Sequence, residues 1–118
     1  MTYKKIFEKV KDLYPNEYEK DDDKRYKDWV REVDSDVIRN TKREDVPIRY
    51  PDVDSECLIP EPYSDAYVFY ICAQVAFWQR DYDAYNAHMS LYKARMENYN
   101  AWYIRTYGGE VNCFRGWI

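Results

Sequence analysis

Seven tyrosine and methionine residues between positions 82 and 103 recur at spacings that alternate strictly between three and four: Tyr82, Tyr85, Met89, Tyr92, Met96, Tyr99 and Tyr103. Residues at these spacings share one face of an α-helix, so the pattern predicts a long helix of about 25 residues, or roughly 37 Å. Asp81 is its N-cap candidate, and Gly108 and Gly109 supply a stop. Each tyrosine can bury its ring and keep its hydroxyl at a wet edge, so this face suits a core or an assembly surface.

A second helix is predicted directly before it, from about Pro62 to Gln79. Its apolar residues cover two faces: Tyr63, Ala66, Tyr67, Tyr70, Ala73 and Phe77 on one, and Val68, Ile71, Val75 and Trp78 on the other. A helix that is apolar nearly all round is buried on several sides, so we expect it at the centre of the fold or partly covered by another subunit. The short step Arg80–Asp81 predicts that helices 3 and 4 form a tight helical hairpin.

Two amphipathic helices are predicted in the first half of the chain. Helix 1 should be capped by Thr2 and end before Pro15, with the apolar face Tyr3, Ile6, Phe7, Val10, Leu13 and Tyr14. Helix 2 should begin in the cluster Asp21–Asp23 and fade near Thr41, with the apolar face Tyr26, Trp29, Val30, Val33, Val37 and Ile38. The sequence therefore predicts an all-α fold, a single four-helix, bundle-like domain over residues 1–118.

Two segments fall outside the predicted helices. Residues 43–61 contain three prolines, which exclude a regular helix, and we expect an extended loop or a short β-hairpin arm with strands at Val46–Tyr50 and Cys57–Ile59. A functional arm and a crossover lying on its own helices are equally open. Residues 109–118 form a C-terminal tail with three large apolar side chains, which should dock on the chain's own helices or on a neighbour: Phe114, Trp117 and Ile118. We expect the former for Phe114 and leave both open for Trp117.

The composition of the chain disfavours several classes of function. The chain has 118 residues, a net charge of -4 and a sequence pI near 5.0, and an acidic balance disfavours duplex DNA as a binding partner. No run approaches the roughly 20 apolar residues that a membrane span needs, and the charged N-terminal stretch does not indicate secretion. Cys57, Cys72 and Cys113 form no CxxC pair and His88 is the single histidine, so we predict no metal site and reduced thiols in a cytoplasmic setting.

The residues also lack a recognisable catalytic set. Glycine-rich phosphate loops and the common hydrolase and metalloprotease motifs are absent from the sequence. Asp34 and Asp36 lie near the end of the helix 2 face, but a diacid site would need a partner such as Glu61 or Asp65. We therefore expect a non-enzymatic helical domain that takes no cofactor and binds another protein.

Three segments, taken in order, carry a family resemblance: Trp29–Ile38 in helix 2, Leu58–Tyr67 at the start of helix 3, and Tyr85-Asn86 with Trp102–Thr106 in helix 4. Together they resemble small proteins of tailed-phage and prophage morphogenesis clusters, of the head–tail connector (head-completion adaptor) type. The likeness covers roughly residues 3–107.

The resemblance implies a structural subunit of the virion that forms a homo-oligomeric ring beneath the portal and extends the DNA channel. Its partners would be the portal protein and adjacent connector or tail proteins, without specific nucleic-acid binding and without a membrane. The subunit would be in the virion, in the bacterial host cytoplasm during assembly, and monomeric in isolation. Our candidate contact residues are Ile48, Tyr50, Trp102, Arg105, Tyr107, Phe114 and Trp117; for Trp102 we expect packing on helix 1 or 2 as the more ordinary role.

Two other functions remain open. The tyrosines of helices 3 and 4 also fit a helical domain with an internal aromatic pocket for a small ligand, or a general protein-interaction domain. A small DNA-binding module ranks last because of the negative charge.

Overall fold

The computed structural model describes residues 2–13, 23–42 and 54–107. Within these ranges the chain forms four α-helices: α1 (Tyr3–Leu13), α2 (Asp23–Asp36), α3 (Asp65–Trp78) and α4 (Tyr82–Tyr107). A π-helical turn, Val37–Thr41, continues α2 to the position where its end was predicted. The described residues contain no β-strand, which confirms the all-α prediction. In the same ranges, no helix combines the length and the apolar character needed to cross a membrane.

Helix α1 is capped and buried largely as its sequence predicts. The Lys5 amide donates to the Thr2 hydroxyl at 3.4 Å, which confirms Thr2 as the cap. Four residues of the predicted face are buried: Tyr3, Ile6, Phe7 and Val10. The inclusion of Leu13 was wrong, because this side chain is 70 % exposed at the last residue of the helix. Tyr14 lies outside the described residues.

Helix α2 packs beside α1 and buries its predicted face up to Val37. The rings of Phe7 and Tyr26 meet edge to face with centroids 5.3 Å apart. The buried set also contains Asp34, a charged residue that the sequence placed only near the end of the apolar face. Such a carboxylate needs buried hydrogen-bond donors, since an unpaired buried charge is strongly unfavourable.

Helix α3 is the centre of the fold, as its apolar composition predicts. It packs against α1, α2 and α4, and the buried residues spread around its circumference: Ala66, Tyr67, Val68, Ile71, Cys72, Ala73, Val75 and Ala76. The helix starts at Asp65, three residues later than predicted. The residues before it form tight turns instead, with the Tyr63 amide donating to the Pro60 carbonyl at 2.9 Å.

A three-residue turn joins α3 to α4. Arg80 adopts a left-handed backbone with φ 62°, and the Asp81 amide donates back to the Ala76 carbonyl at 2.9 Å. This is the Schellman arrangement, in which a left-handed residue lets the chain satisfy the last carbonyls of a helix and leave it sharply. The Asp81 carboxylate then accepts from the Ala84 amide at 3.2 Å, which confirms the predicted N-cap of α4.

Among the aromatic pairs that connect α3 and the turns before it with α4, three recur at a fixed interval. Tyr63 faces Tyr99, Tyr70 faces Tyr92 and Phe77 faces Tyr85, with ring centroids 6.0, 4.9 and 5.4 Å apart. Successive members are seven residues apart on both sides, which is two helical turns. The pairs therefore place the start of α4 beside the end of α3.

Residues 54–60 run beside α1 without forming the predicted strand at Cys57–Ile59. Their β-structure among the described residues is one isolated bridge, between Thr2 and Glu56. The Ile59 amide donates to the Tyr67 hydroxyl at 3.2 Å. Its hydrogen-bond acceptor is therefore a side chain of α3 and not the backbone of a neighbouring strand. The prediction of a β-hairpin arm was therefore wrong for residues 54–61. Residues 43–53, including the predicted strand Val46–Tyr50, lie outside the described residues.

Candidate protein-interaction site

An aromatic groove lies along the last turns of α4. We call it the α4 groove, and its lining consists of Lys42, Leu58, Pro60, Tyr99, Trp102, Tyr103 and Tyr107, around a volume of about 220 Å³. The four aromatic members stand at positions that share one side of a helix. One wall of the groove is therefore α4, and the other is the chain that precedes α3 together with the end of the π-helical turn.

The rings of the groove form a continuous contact series. Trp102 stacks on Tyr99 with centroids 6.0 Å apart, lies 5.8 Å from Tyr63 and meets the edge of Tyr107 at 5.7 Å. Tyr99 is buried, and burial followed by the nearby hydroxyls of Tyr103 and Tyr107 raises its pKa to about 12. Tyr99 is therefore neutral at physiological pH and held by packing.

Two polar contacts hold the opposite wall. The Thr41 hydroxyl donates to the Asn100 side-chain oxygen, which joins the π-helical turn to the middle of α4. Ile59, between the two lining residues Leu58 and Pro60, is buried and bonded to Tyr67. Both walls are thus attached to the core.

The structure places two of the predicted contact residues on this groove and a third elsewhere on α4. Trp102 is half-buried and Tyr107 is 63 % exposed, and both line it; Arg105 is exposed on the same helix. Instead of the expected packing on helix 1 or 2, the ring contacts of Trp102 are to Tyr63 and its own helix. The other candidates lie outside the described residues: Ile48, Tyr50, Phe114 and Trp117.

A second apolar surface lies at the opposite end of α4, around its junction with α3. Phe77, Trp78 and Tyr82, which we call the turn patch, are 49, 53 and 54 % exposed. The Phe77 and Tyr82 rings touch at 5.9 Å, and the Arg25 guanidinium lies 4.7 Å from the centre of a Trp78 ring. The sequence assigned these residues to internal helix faces, and it gave no indication that the helices stop covering one another here.

The most polar buried cluster of the described residues is centred on Asp34. The Tyr67 hydroxyl donates to Oδ1 at 2.5 Å and the Tyr3 hydroxyl donates to Oδ2 at 2.8 Å. Burial raises the pKa of Asp34, while the two tyrosine hydrogen bonds and the Lys42 charge oppose that rise. The pKa values of both tyrosines are raised, by burial first and by the Asp34 charge second. The cluster ties α1, α2 and α3 together.

The Asp34 carboxylate also acts on the thiol of the nearby Cys57. Burial and the Asp34 charge raise the pKa of the nearby Cys57 thiol to about 12, so it stays protonated and weakly nucleophilic. Asp65, one of the two diacid partners considered for Asp34, instead pairs with Arg95 at 2.9 Å. Within the described ranges, no three histidine, cysteine or acidic side chains are grouped as metal ligands.

Sequence reasoning missed the Asp34 cluster. One signal was available, because Asp34 directly follows Val33 and precedes Val37 by three positions on the buried face. The sequence could not identify the residues that donate hydrogen bonds to Asp34, since Tyr3 and Tyr67 are 31 and 33 residues away in the chain.

Comparisons of the chain with known protein families, with curated proteins and with solved structures find no match.

Proposed function

We propose that the chain is a structural assembly protein, a subunit of a head–tail connector ring in a tailed phage or prophage. Its four helices act as one bundle-like domain built on the α3–α4 hairpin, with residues 43–61 as an extended loop and residues 109–118 as a tail. It binds the portal protein and neighbouring connector or tail proteins, in the virion and in the host cytoplasm during assembly, and it catalyses no reaction. The resemblance of Trp29–Ile38, Leu58–Tyr67 and Trp102–Thr106 to such proteins supports the identity of the assembly.

The observation that carries the protein-binding role is the turn patch. Three large apolar side chains at one helix junction, each about half exposed, are more than the scattered single residues that a monomer surface normally shows. Aromatic residues of this kind, with rigid rings and large contact areas, are typical anchors of protein interfaces.

The position of the two apolar surfaces supports a ring. The turn patch and the α4 groove lie at opposite ends of α4, which spans about 38 Å at 1.5 Å per residue. A closed ring of identical subunits needs two different complementary surfaces on each subunit, because its contacts are head to tail. The net charge of -4 also suits a conduit through which DNA passes without adhering.

The test is a mixing experiment with the portal protein encoded in the same gene cluster, followed by size-exclusion chromatography with light scattering. We expect a ring-sized complex for the unaltered chain and its loss for Trp78→Ser/Tyr82→Ser. Leu91→Ser is the matched control, since Leu91 is an equally exposed apolar residue of α4 outside both surfaces. A chain that stays monomeric and ignores the portal at high concentration would refute the connector role.

The alternative is a small helical ligand-binding or general protein-interaction domain. The α4 groove favours a side-chain occupant over a metabolite, because about 220 Å³ is below the roughly 300–1,000 Å³ of typical small-molecule sites. A portal-independent partner whose binding is abolished by Trp78→Ser/Tyr82→Ser would support the general interaction domain instead.

A further inference from the structure

We propose that two copies of the chain pair through the outer face of α4, in antiparallel orientation and centred on Ala94. The outer face consists of five exposed residues that stand within about 40° of one another around the helix, at about 100° per residue: Asp83, Ala87, Ala94, Ala101 and Arg105. It lies opposite the buried residues of α4 and is separate from the turn patch and the α4 groove. The inference concerns the isolated chain, for which the resemblance implies a monomer, and it does not depend on the connector role.

Opposite charges stand at equal distances from the centre of the outer face. Asp83 precedes Ala94 by eleven residues, and Arg105 follows it by eleven. In an antiparallel pair centred on Ala94, each Asp83 is therefore level with the Arg105 of the second copy, and the dimer has one such charge pair at each end. In a parallel pair the same residues would be level with their own equivalents, and these like charges would repel. The charge pattern thus favours a second, antiparallel copy as the occupant, and antiparallel helix dipoles favour the same orientation.

The alanines allow the two helices to approach closely. Ala87, Ala94 and Ala101 recur every seven residues, which is the repeat of paired helices. In the antiparallel pair, Ala87 is level with Ala101 of the second copy, and Ala94 meets its own equivalent. Small side chains at all three levels leave room for the neighbouring helix.

Leu91 supplies the apolar surface that such a contact would bury. It stands beside the row of alanines and is 48 % exposed. In the antiparallel pair it packs beside Asn98 of the second copy, and removing its apolar surface from water favours association. Each copy contributes one helix over about 33 Å, so the interface is small and the dimer is weak and reversible.

Sedimentation velocity of the full chain alone, over a concentration series at low salt, tests the pairing. We expect a mass that rises from 14.5 kDa toward twice that value. Ala94→Lys should raise the dissociation constant at least about tenfold, because two like charges then meet at the centre of the interface. Asn86→Lys is the matched control, since it adds the same charge at an exposed position of α4 about 80° from the centre of the outer face, and it should change the constant less than about threefold. Circular dichroism checks that both variants keep their helical content.

Charge reversal tests the orientation of the two copies. Asp83→Arg and Arg105→Asp should each weaken the dimer about tenfold, since like charges then meet at both ends. Combining the two changes in one chain should restore the dimer to within about threefold of the unaltered chain. Mixing the two single variants should restore it as well, because opposite charges face each other again at both ends.

Three results would overturn the proposal. The first is a chain that stays monomeric at about 1 mM, where even a weak dimer is populated. The second is a dimer that neither the double reversal nor the mixture restores. The third is self-association that Trp78→Ser/Tyr82→Ser abolishes and Ala94→Lys does not, which would assign it to the ring surfaces. Leu91→Ser should weaken this dimer and leave the portal complex intact, so this proposal and the connector role fail separately.

Discussion

Replacing Tyr67 with phenylalanine tests whether the Asp34 cluster stabilises the fold. The change keeps the buried ring and removes one hydroxyl, which donates to Asp34 Oδ1 at 2.5 Å and accepts from the Ile59 amide at 3.2 Å. Two buried polar groups then lose a partner, and each such loss costs about 1–3 kcal/mol. We therefore expect Tyr67→Phe to lower the free energy of unfolding by about 3 kcal/mol, or the melting temperature by about 12 °C at roughly 4 °C per kcal/mol.

The matched control is Tyr92→Phe. The Tyr92 hydroxyl donates to Asp36 Oδ2 at 3.1 Å, and because Asp36 is only partly buried, water can replace the lost bond at its carboxylate, so the cost should stay near about 1 kcal/mol. Urea unfolding followed by far-ultraviolet circular dichroism measures both variants. A Tyr67→Phe protein within about 0.5 kcal/mol of the unaltered chain, or no more affected than Tyr92→Phe, would refute a stabilising role for the cluster.

The penalty should also depend on pH. Burial raises the pKa of Asp34 and the Tyr67 hydrogen bond opposes that rise, so Tyr67→Phe moves the pKa further upward. A carboxyl whose pKa is raised in the folded state stabilises the fold while it is protonated, and this stabilisation is lost as the pH rises through the folded-state value. The destabilisation by Tyr67→Phe should therefore be larger at pH 7 than at pH 4, and the reverse order would contradict the assignment.

Three further outcomes follow from single features. Arg80→Gly should stabilise the chain by about 0.5–1 kcal/mol in thermal unfolding, because glycine relieves the left-handed φ of 62° at a residue exposed to solvent; a destabilised variant would contradict the turn geometry. The raised pKa values of Tyr67 and Tyr92 stabilise the fold fully below about pH 10 and lose that effect above it, so tyrosinate absorbance should rise with unfolding rather than before it. Cys57, with its pKa near 12, should react with a disulfide reagent at pH 8 far more slowly than in urea; equal rates would show that the thiol is not buried.

The elements that were predicted well are those whose signal is local. The α4 spacing, the caps Thr2 and Asp81 and the apolar character of α3 depend on neighbours within a few residues, and the structure places them as expected. Leu13 fits the period of its helix but lies at the helix end, where no neighbouring element covers it. Periodicity identifies a face and does not identify how far a partner extends.

The candidate site was predicted only in part, because it is built from distant parts of the chain. Trp102 and Tyr107 were singled out from the sequence, but the wall that faces them comes from Lys42, Leu58 and Pro60. The turn patch was missed because its residues continue apolar helix faces and were therefore expected to be buried. Phe77 continues the apolar face of α3 and is exposed because the packing partners end before it does.

The seven-residue interval between the aromatic pairs makes the length of α4 a constraint on the whole fold. Removing one residue between Tyr85 and Tyr92 would rotate the rest of the helix by about 100°, since each residue of an α-helix turns by that angle. Tyr92 and Tyr99 would then swing away from Tyr70 and Tyr63 while Phe77 kept its partner. Adding or removing a whole turn would keep the faces aligned but would shift the later pairs by about 5.4 Å, so the length of α4 between these pairs can change only together with that of α3.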